Sequence, residues 1–122
     1  MIKIINDLPS NVLGISAEGE VSGKDYETIL IPAIEEKLKT NKKISFLYYL
    51  GDNFAKFDMA AMFDDAKVGM KHLFVWDKIA MVSNHHVLNS TLKFFGYMIP
   101  CEVRVFKNEE LEEAKKWVST TS

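Results

Sequence analysis

The residues that could do chemistry in this chain are its histidines, its single cysteine and a group of aspartates. The candidates for metal binding are His72, His85, His86, Asp52, Asp58, Asp64 and Asp65. No two histidines have the i, i+4 spacing that places two ligands on one face of a helix, and the adjacent pair points apart. Neighbouring aspartates on a predicted exposed helix face are ordinary solvated charges. The sequence therefore predicts no metal site and no cofactor.

Nucleophilic catalysis is not indicated either. Cys101 lies in an apolar stretch, predicted to be a strand, with no helix N-terminus beside it to lower the pKa of its thiol. A single cysteine also excludes an internal disulfide and a cysteine-based zinc cluster. Ser83 is close to His85 in sequence, but the glycine-flanked elbow of a hydrolase is missing. Helix capping is the favoured role of Ser83 and Asn84, and we expect a protein that is not an enzyme.

The composition fits one soluble domain. The chain is 48% hydrophobic and 26% charged, and its 122 residues are enough to bury a core. A net charge of -2 gives no electrostatic footprint for nucleic acid, so no nucleic-acid partner is expected. No apolar run reaches the length of a membrane span, and the N-terminal stretch lacks the apolar core of a signal peptide. We expect a single cytoplasmic domain covering residues 1–122.

Five strands are predicted from apolar runs and alternating patterns. They cover residues 2–5, 12–19, 44–50, 78–83 and 101–106. The short turn after the first strand predicts an antiparallel first pair. The run at 44–50 is almost unbroken in its apolarity, which is typical of a central parallel strand covered on both faces. Glu102 and Arg104 alternate with apolar residues, which favours an edge position for the last strand.

Four helices are predicted between and after these strands. Ser22, with Asp25 three residues later, predicts a variant of the capping box at the first helix, and Pro32 predicts a kink or a new helical start within it. The buried stripe of this helix is Tyr26, Ile29, Leu30, Ala33, Ile34 and Leu38. Residues 51–57 are predicted to form a loop, followed by a second helix with Asp58 at its cap. Asn84 is predicted to cap a third helix that runs to about residue 97. Asn108 is predicted to cap the last helix, with Leu111, Ala114, Lys115 and Val118 on its inner side.

The resulting order, ββαβαβαβα, predicts an α/β fold with a mixed, mostly parallel sheet and helices packed against it. This order resembles the STAS fold of bacterial anti-sigma-factor antagonists, and in particular the SpoIIAA-like family. The resemblance is most specific in DDAKVGMKHL followed by KIAMVS, and in EVRVF followed by ELEEAKKWV. It implies a binding or regulatory module, because STAS-type domains are not enzymes.

The resemblance also implies a place for a phosphorylation switch, just after the central strand. The anti-sigma-factor antagonists carry a phosphorylatable Ser or Thr there, but this chain has neither residue type between Ser45 and Ser83. Asp58 could replace the phosphate charge, although an acidic helix cap is the simpler interpretation. The sequence predicts that the switch is absent.

A wide apolar surface on the second and third predicted helices is the feature that most favours binding. Its members, with the aromatic residues of the preceding segment, are Phe54, Phe57, Met59, Met62, Phe63, Phe94 and Met98. One interpretation is a core rich in Met and Phe. The other is a surface or pocket for an apolar ligand, a membrane surface or another subunit.

A polar end for such a pocket is predicted at the carboxyl ends of the strands. Its candidate residues are Ser83, Asn84, His85 and His86, with Lys56 across from them and Lys107 and Asn108 nearby. Free N–H groups at a helix start suit a carboxylate or a phosphate. The first functional hypothesis is therefore a small apolar or amphipathic, acid-headed ligand, with peripheral contact to the inner membrane left open. The alternative is a protein-interaction module, as a homodimer or with a regulatory partner.

Overall fold

The computed structural model describes residues 1–57, 75–84 and 101–120, without the side chains of residues 53, 56 and 57. Its elements in chain order are β1 (Ile2–Ile5), β2 (Val12–Val21), α1 (Gly23–Asp25), a π-helical turn (Tyr26–Leu30), α2 (Ile31–Leu38), β3 (Ile44–Phe57), β4 (Trp76–Ser83), β5 (Glu102–Phe106), a 3-10 turn (Asn108–Glu110) and α3 (Leu111–Ser119). The second and third predicted helices fall outside the described residues.

The five strands form one sheet in the order β1-β2-β3-β4-β5. β1 pairs antiparallel with β2, and the pairs β2–β3, β3–β4 and β4–β5 are parallel. The predicted antiparallel first pair, the central parallel position of residues 44–50 and the edge position of the last strand are all confirmed. The fold is the predicted mixed, mostly parallel α/β arrangement.

Side chains of the central strand alternate between two apolar clusters, one on each face of the sheet. Ile44, Phe46, Tyr48 and Leu50 pack on one face beneath the first helical segment, together with Leu13, Ile15, Tyr26, Leu30 and Ile34. Leu47 packs on the other face with Val12, Ala80, Val82, Phe106, Ala114 and Val118. Burial on both faces explains why this strand has so few polar residues.

The predicted loop at residues 51–57 is wrong, because this segment continues β3. Its backbone pairs with the end of β2, where Gly19 lies opposite Phe54 and Val21 opposite Phe57. Phe54 is 8% exposed and belongs to the core, so its burial favours extended pairing over a loop. The register shifts on both sides of Gly19, whose φ of 58° lies in the left-handed region. Glycine allows this bulge without the steric cost that other residues have there.

The first helical segment begins and bends as its sequence indicates. Ser22 Oγ accepts the Asp25 N–H at 3.2 Å, and the Asp25 carboxylate accepts the Ser22 N–H at 2.9 Å, which confirms the capping box. The π-helical turn precedes Pro32 and ends with a hydrogen bond from the Ile31 N–H to the Tyr26 carbonyl. Proline has no N–H to continue the regular series of helical hydrogen bonds, and here a wider turn is followed by the start of α2. The kink or new helical start predicted from Pro32 is therefore confirmed.

The prediction that Asn108 caps the last helix is wrong. Lys107 occupies the cap position of the 3-10 turn, where its N–H donates to Glu110 Oε1 at 2.8 Å, and Glu110 occupies the cap position of α3. Asn108 lies inside the 3-10 turn, and its side-chain amide donates to Asp52 instead. The Asn108 side chain, which the local sequence predicts to be a helix cap, is therefore used in a tertiary hydrogen bond with Asp52.

A buried lysine fixes the far end of α3 to the sheet. Lys78 is 7% exposed, and its Nζ donates to Thr120 Oγ1 at 2.5 Å, to the Thr120 carbonyl at 3.2 Å and to the Trp117 carbonyl at 3.4 Å. The same Nζ lies 5.3 Å from the centre of the Trp117 ring. A cation at the carboxyl end of a helix interacts favourably with the exposed carbonyls and the helix dipole. Lys78 thus orients the helix that covers one face of the sheet.

Candidate functional site

Three polar side chains lie at one edge of the sheet, where β4 and β5 end and where β3 runs past the end of its pairing with β4. Leu50 of β3 pairs with Ser83 of β4, so Asp52 and Asn84 each lie just beyond that pair. Asn108 comes two residues after Phe106, the last residue of β5. Because parallel strands place their carboxyl ends on one edge, these side chains meet there, and we call Asp52, Asn84 and Asn108 the carboxyl-edge triad.

Hydrogen bonds join the triad. Asn84 Oδ1 accepts the Asn108 N–H at 3.0 Å, and Asn108 Nδ2 donates to Asp52 Oδ1 at 3.4 Å. Asn108 Oδ1 is buried and accepts no hydrogen bond from any described residue. Asp52 and Asn84 are exposed. The edge therefore presents a carboxylate and an amide to solvent, both held in place by one partly buried asparagine.

The charge at this edge differs from the purely anion-binding rim that the sequence suggests. Asp52 contributes a carboxylate next to Asn108, within the same chain of hydrogen bonds as Asn84. Sequence distance hides this proximity, because Asp52 and Asn108 are 56 residues apart. Lys107 is exposed at the same edge and forms no ion pair with another described residue. The edge thus combines one negative and one positive group.

The structure separates the predicted site residues into three groups. Asn84 is exposed at the edge, whereas Ser83 is 1% exposed and Phe54 belongs to the core. Phe57 ends β3, and nothing is described of its side chain. The remaining candidates lie outside the described residues: Met59, Met62, Phe63, His85, His86, Phe94 and Met98. Among the described candidates, then, Asn84 and the neighbouring Lys107 offer solvent-facing polar groups.

A shallow depression adjoins the triad on one side. It has a volume of about 260 Å³ and is lined by Ser16, Ala17, Glu18, Tyr49, Gly51 and Asp52. Gly51 permits its shape, because a Cβ at this position would lie only 3.0–3.1 Å from the Tyr49 ring. The Glu18 carboxylate already contacts Lys3 Nζ at 3.5 Å. The lining is mainly polar, so the depression extends the hydrogen-bonding character of the edge.

Sequence reasoning misses the hydrogen bond between Asp52 and Asn108 at this edge. It considers Asp52 as a metal candidate, and it names Asn108 near the rim and as a helix cap. A signal for Asp52 was present, since an aspartate that directly follows a buried parallel strand lies at the edge where α/β folds place their sites. No comparable signal marks the Asn108 contact with Asp52, which depends on the register of β3, β4 and β5.

The one described thiol is poorly suited to nucleophilic chemistry. Burial raises the pKa of Cys101 to about 11, with a further rise from Asp77 and Glu102 that outweighs the nearby Lys43. At neutral pH the thiolate, which is the reactive form, is therefore scarce.

Within residues 1–57, 75–84 and 101–120, no three His, Cys, Asp or Glu side chains are grouped so that they could hold a metal ion. The helices described over those same ranges include none with the length and apolarity needed to cross a membrane.

Comparison with known proteins identifies similar sequences and folds. A family model described as SpoIIAA-like matches residues 12–119. The crystal structure of an uncharacterized protein from the DUF3478 family with a SpoIIAA-like fold, from Shewanella loihica PV-4, has a TM-score of 0.77 to this chain. The two are 22% identical, and the alignment covers 97% of this chain and 92% of that one. No curated protein matches.

Proposed function

This chain belongs to the SpoIIAA-like family, and on that premise we propose a non-enzymatic regulatory module that binds a partner protein at the carboxyl edge of its sheet. The SpoIIAA-like fold is typical of regulatory or interaction modules. The observation that carries the proposal is the carboxyl-edge triad, in which Asp52 and Asn84 are exposed and joined through Asn108. Side chains held by such a network are pre-organised, so little conformational entropy is lost when a partner binds them.

The chemistry of the partner follows from the groups that it would meet. Asp52 accepts hydrogen bonds and carries negative charge, and the neighbouring depression adds Glu18 and the Tyr49 hydroxyl. A partner segment with N–H donors and a Lys or Arg side chain complements these groups. The site lies just past Leu50, where β3 stops pairing with β4, and it corresponds to the region in which the antagonists of the family carry their phosphorylatable hydroxyl. This chain has no Ser or Thr there, so the interaction is not switched by phosphorylation of that segment.

Affinity enrichment with matched variants tests the partner proposal. The tagged wild-type protein, an Asp52→Ala, Asn84→Ala double variant and a Lys116→Ala control on the exposed side of α3 are each incubated with a lysate of the source cells. Proteins bound through the edge should be recovered with the wild type and the control and lost with the double variant. Binding of each recovered protein is then measured with purified components. Unchanged affinity of the double variant for every such protein would refute the assignment to this edge.

The second candidate occupant is the acid-headed amphipathic ligand that the sequence predicts. One observation favours it, namely the exposed Lys107 ammonium at the same edge, which no described residue neutralises. In this proposal the acidic head meets Lys107 and the N–H groups from Asn84 to His86, and the tail extends between the second and third predicted helices. Peripheral contact with a membrane containing acidic lipid would follow from the same chemistry.

Titration of a fatty acid and of vesicles containing phosphatidic acid distinguishes the two candidates. Wild type, a His85→Ala, His86→Ala variant and Lys107→Ala are compared from about pH 5.5 to about pH 8, because an unperturbed histidine gains its proton near pH 6.5. The expected result for this candidate is tighter binding at the acidic end that the histidine variant loses, and weaker binding of Lys107→Ala at every pH. Equal affinities across proteins and pH would eliminate it and leave the partner-protein proposal untouched.

A further inference from the structure

β5 is an edge strand whose second side is open in the described part of the chain. It pairs with β4 from Glu102 to Phe106, and the described sheet order ends with it. An edge strand presents unpaired N–H and C=O groups that can be extended by another strand. Natural sheets often blunt such an edge with a very short strand, charged side chains, proline, a bulge or a covering element. β5 is five residues long, has no bulge in its pairing with β4, and carries one acidic and one basic residue of opposite sign.

The side chains of this strand follow a self-complementary order. Glu102 and Arg104 are exposed on one face, and Cys101, Val103 and Val105 are partly exposed on the other. Neither charged residue forms an ion pair with another described residue. The Arg104 guanidinium is instead 5.3 Å from the Trp117 ring centre and 5.4 Å from that of Phe106, so it is held over the sheet. No described residue neutralises either charge, so a strand laid along the edge could form ion pairs with both.

From this pattern we infer that two copies of the protein pair through antiparallel β5 strands, with the two-fold axis at Val103. In this register Glu102 lies opposite the partner's Arg104, and Arg104 opposite the partner's Glu102. On the other face Cys101 lies opposite the partner's Val105, and Val103 opposite the partner's Val103. Every directly opposed pair is then either oppositely charged or apolar, and such cross-strand pairs stabilise a sheet. The two five-stranded sheets become one continuous sheet.

Other arrangements of the same two strands fit less well. A parallel pairing in register places Glu102 beside the partner's Glu102 and Arg104 beside the partner's Arg104, which is repulsive. It also forms no closed two-fold dimer. Shifting the antiparallel register by one residue sets charged side chains opposite apolar ones. The charge order therefore selects one direction and one register. A strand of five residues buries little area, so we expect a dissociation constant in the range of about 1 µM to about 1 mM.

Variants that reverse the charge of Glu102 or Arg104 test the proposed pairing of the two β5 strands. E102R places two arginines opposite each other at both ends of the strand, and R104E does the same with two glutamates. Each variant alone should dissociate at least about ten-fold more readily than the wild type. A mixture of the two restores both opposite-charge pairs in a heterodimer, and the double variant E102R, R104E restores them in a homodimer. Sedimentation equilibrium up to about 1 mM, with circular dichroism to check folding, measures these outcomes.

Matched controls separate pairing from net charge and from folding. E113R and K116E, both on the exposed side of α3, change the net charge by the same amounts as E102R and R104E and should leave the association unchanged. E102R is the decisive single variant, because R104E also removes the contacts with Trp117 and Phe106. A wild type that stays monomeric at about 1 mM would overturn the inference, and so would dimers that persist in E102R. Failure of E102R and R104E to associate with each other would also overturn it. Association of the mixture, when neither variant associates alone, would establish it.

Discussion

Replacement of Lys78 by methionine provides a direct measure of what holds α3 on the sheet. Methionine retains most of the length and the apolar stem of lysine but removes the ammonium group. The variant therefore loses the hydrogen bonds to Thr120 Oγ1 and to the carbonyls of Trp117 and Thr120, and the contact with the Trp117 ring. Because Lys78 is 7% exposed, water can replace these contacts only in part.

The size of the loss follows from opposing contributions. Hydrogen bonds from a charged donor contribute about 1.5–3 kcal/mol, and a partly exposed cation–π contact adds about 0.5–1 kcal/mol. Removing a buried charge also removes its desolvation cost, which offsets part of this sum. We expect a net decrease of about 1–3 kcal/mol in the free energy of unfolding, or roughly 4–12 °C in Tm for a domain of this size.

Urea denaturation and thermal melts of K78M and wild type measure this difference. K116M is the control, because Lys116 is exposed on the same helix, and its stability should lie within about 0.5 kcal/mol of the wild type. T120V removes one acceptor of the Lys78 ammonium, so a double-mutant cycle with K78M should show a favourable coupling between the two positions. A K78M protein as stable as the wild type would mean that desolvation cancels the contacts, and the proposed fastening of α3 would be incorrect.

The remaining predictions concern the first helical start and the β2 bulge. Ser22→Ala should cost about 0.5–2 kcal/mol in urea denaturation, since it removes the cap of the Asp25 N–H. Burial alone would raise the pKa of Asp25, but hydrogen bonds from Ser22 and the nearby N-terminal ammonium leave it below 3.8. Its charge therefore stabilises the fold above that value, and the advantage of wild type over Asp25→Asn should shrink as pH falls below 3.8; an undiminished gap at about pH 2.5 contradicts this. Gly19→Ala should decrease the free energy of unfolding by about 1–2 kcal/mol. The whole cost comes from the positive φ, since a Cβ at this position meets no atom within 4 Å. Gly19→Asn should be milder, and a melt in which alanine is harmless would disprove the assignment.

Local sequence was sufficient for the strands, for the capped first helix and for the direction of pairing. The unbroken apolar run of β3 identifies a strand covered on both faces, because only such a strand can bury every second side chain on each side. The Ser22 and Asp25 pair is recognisable because both partners of a capping box lie within one turn. Pro32 marks the helical irregularity, since its missing N–H removes an intrahelical hydrogen bond whatever the helix packs against.

Tertiary structure alone decided how far β3 extends and which polar groups are hydrogen-bonded to each other at the carboxyl edge. Residues 51–57 carry turn-forming and polar residues, and they become a strand because β2 supplies hydrogen-bond partners and the core accepts Phe54. The triad brings Asp52 together with Asn108 across 56 positions, and Lys78 reaches Thr120 across 42. Such contacts depend on strand register and on the docking of α3. Propensity and periodicity act over a few residues only, so they do not determine which distant polar groups meet at the end of a sheet.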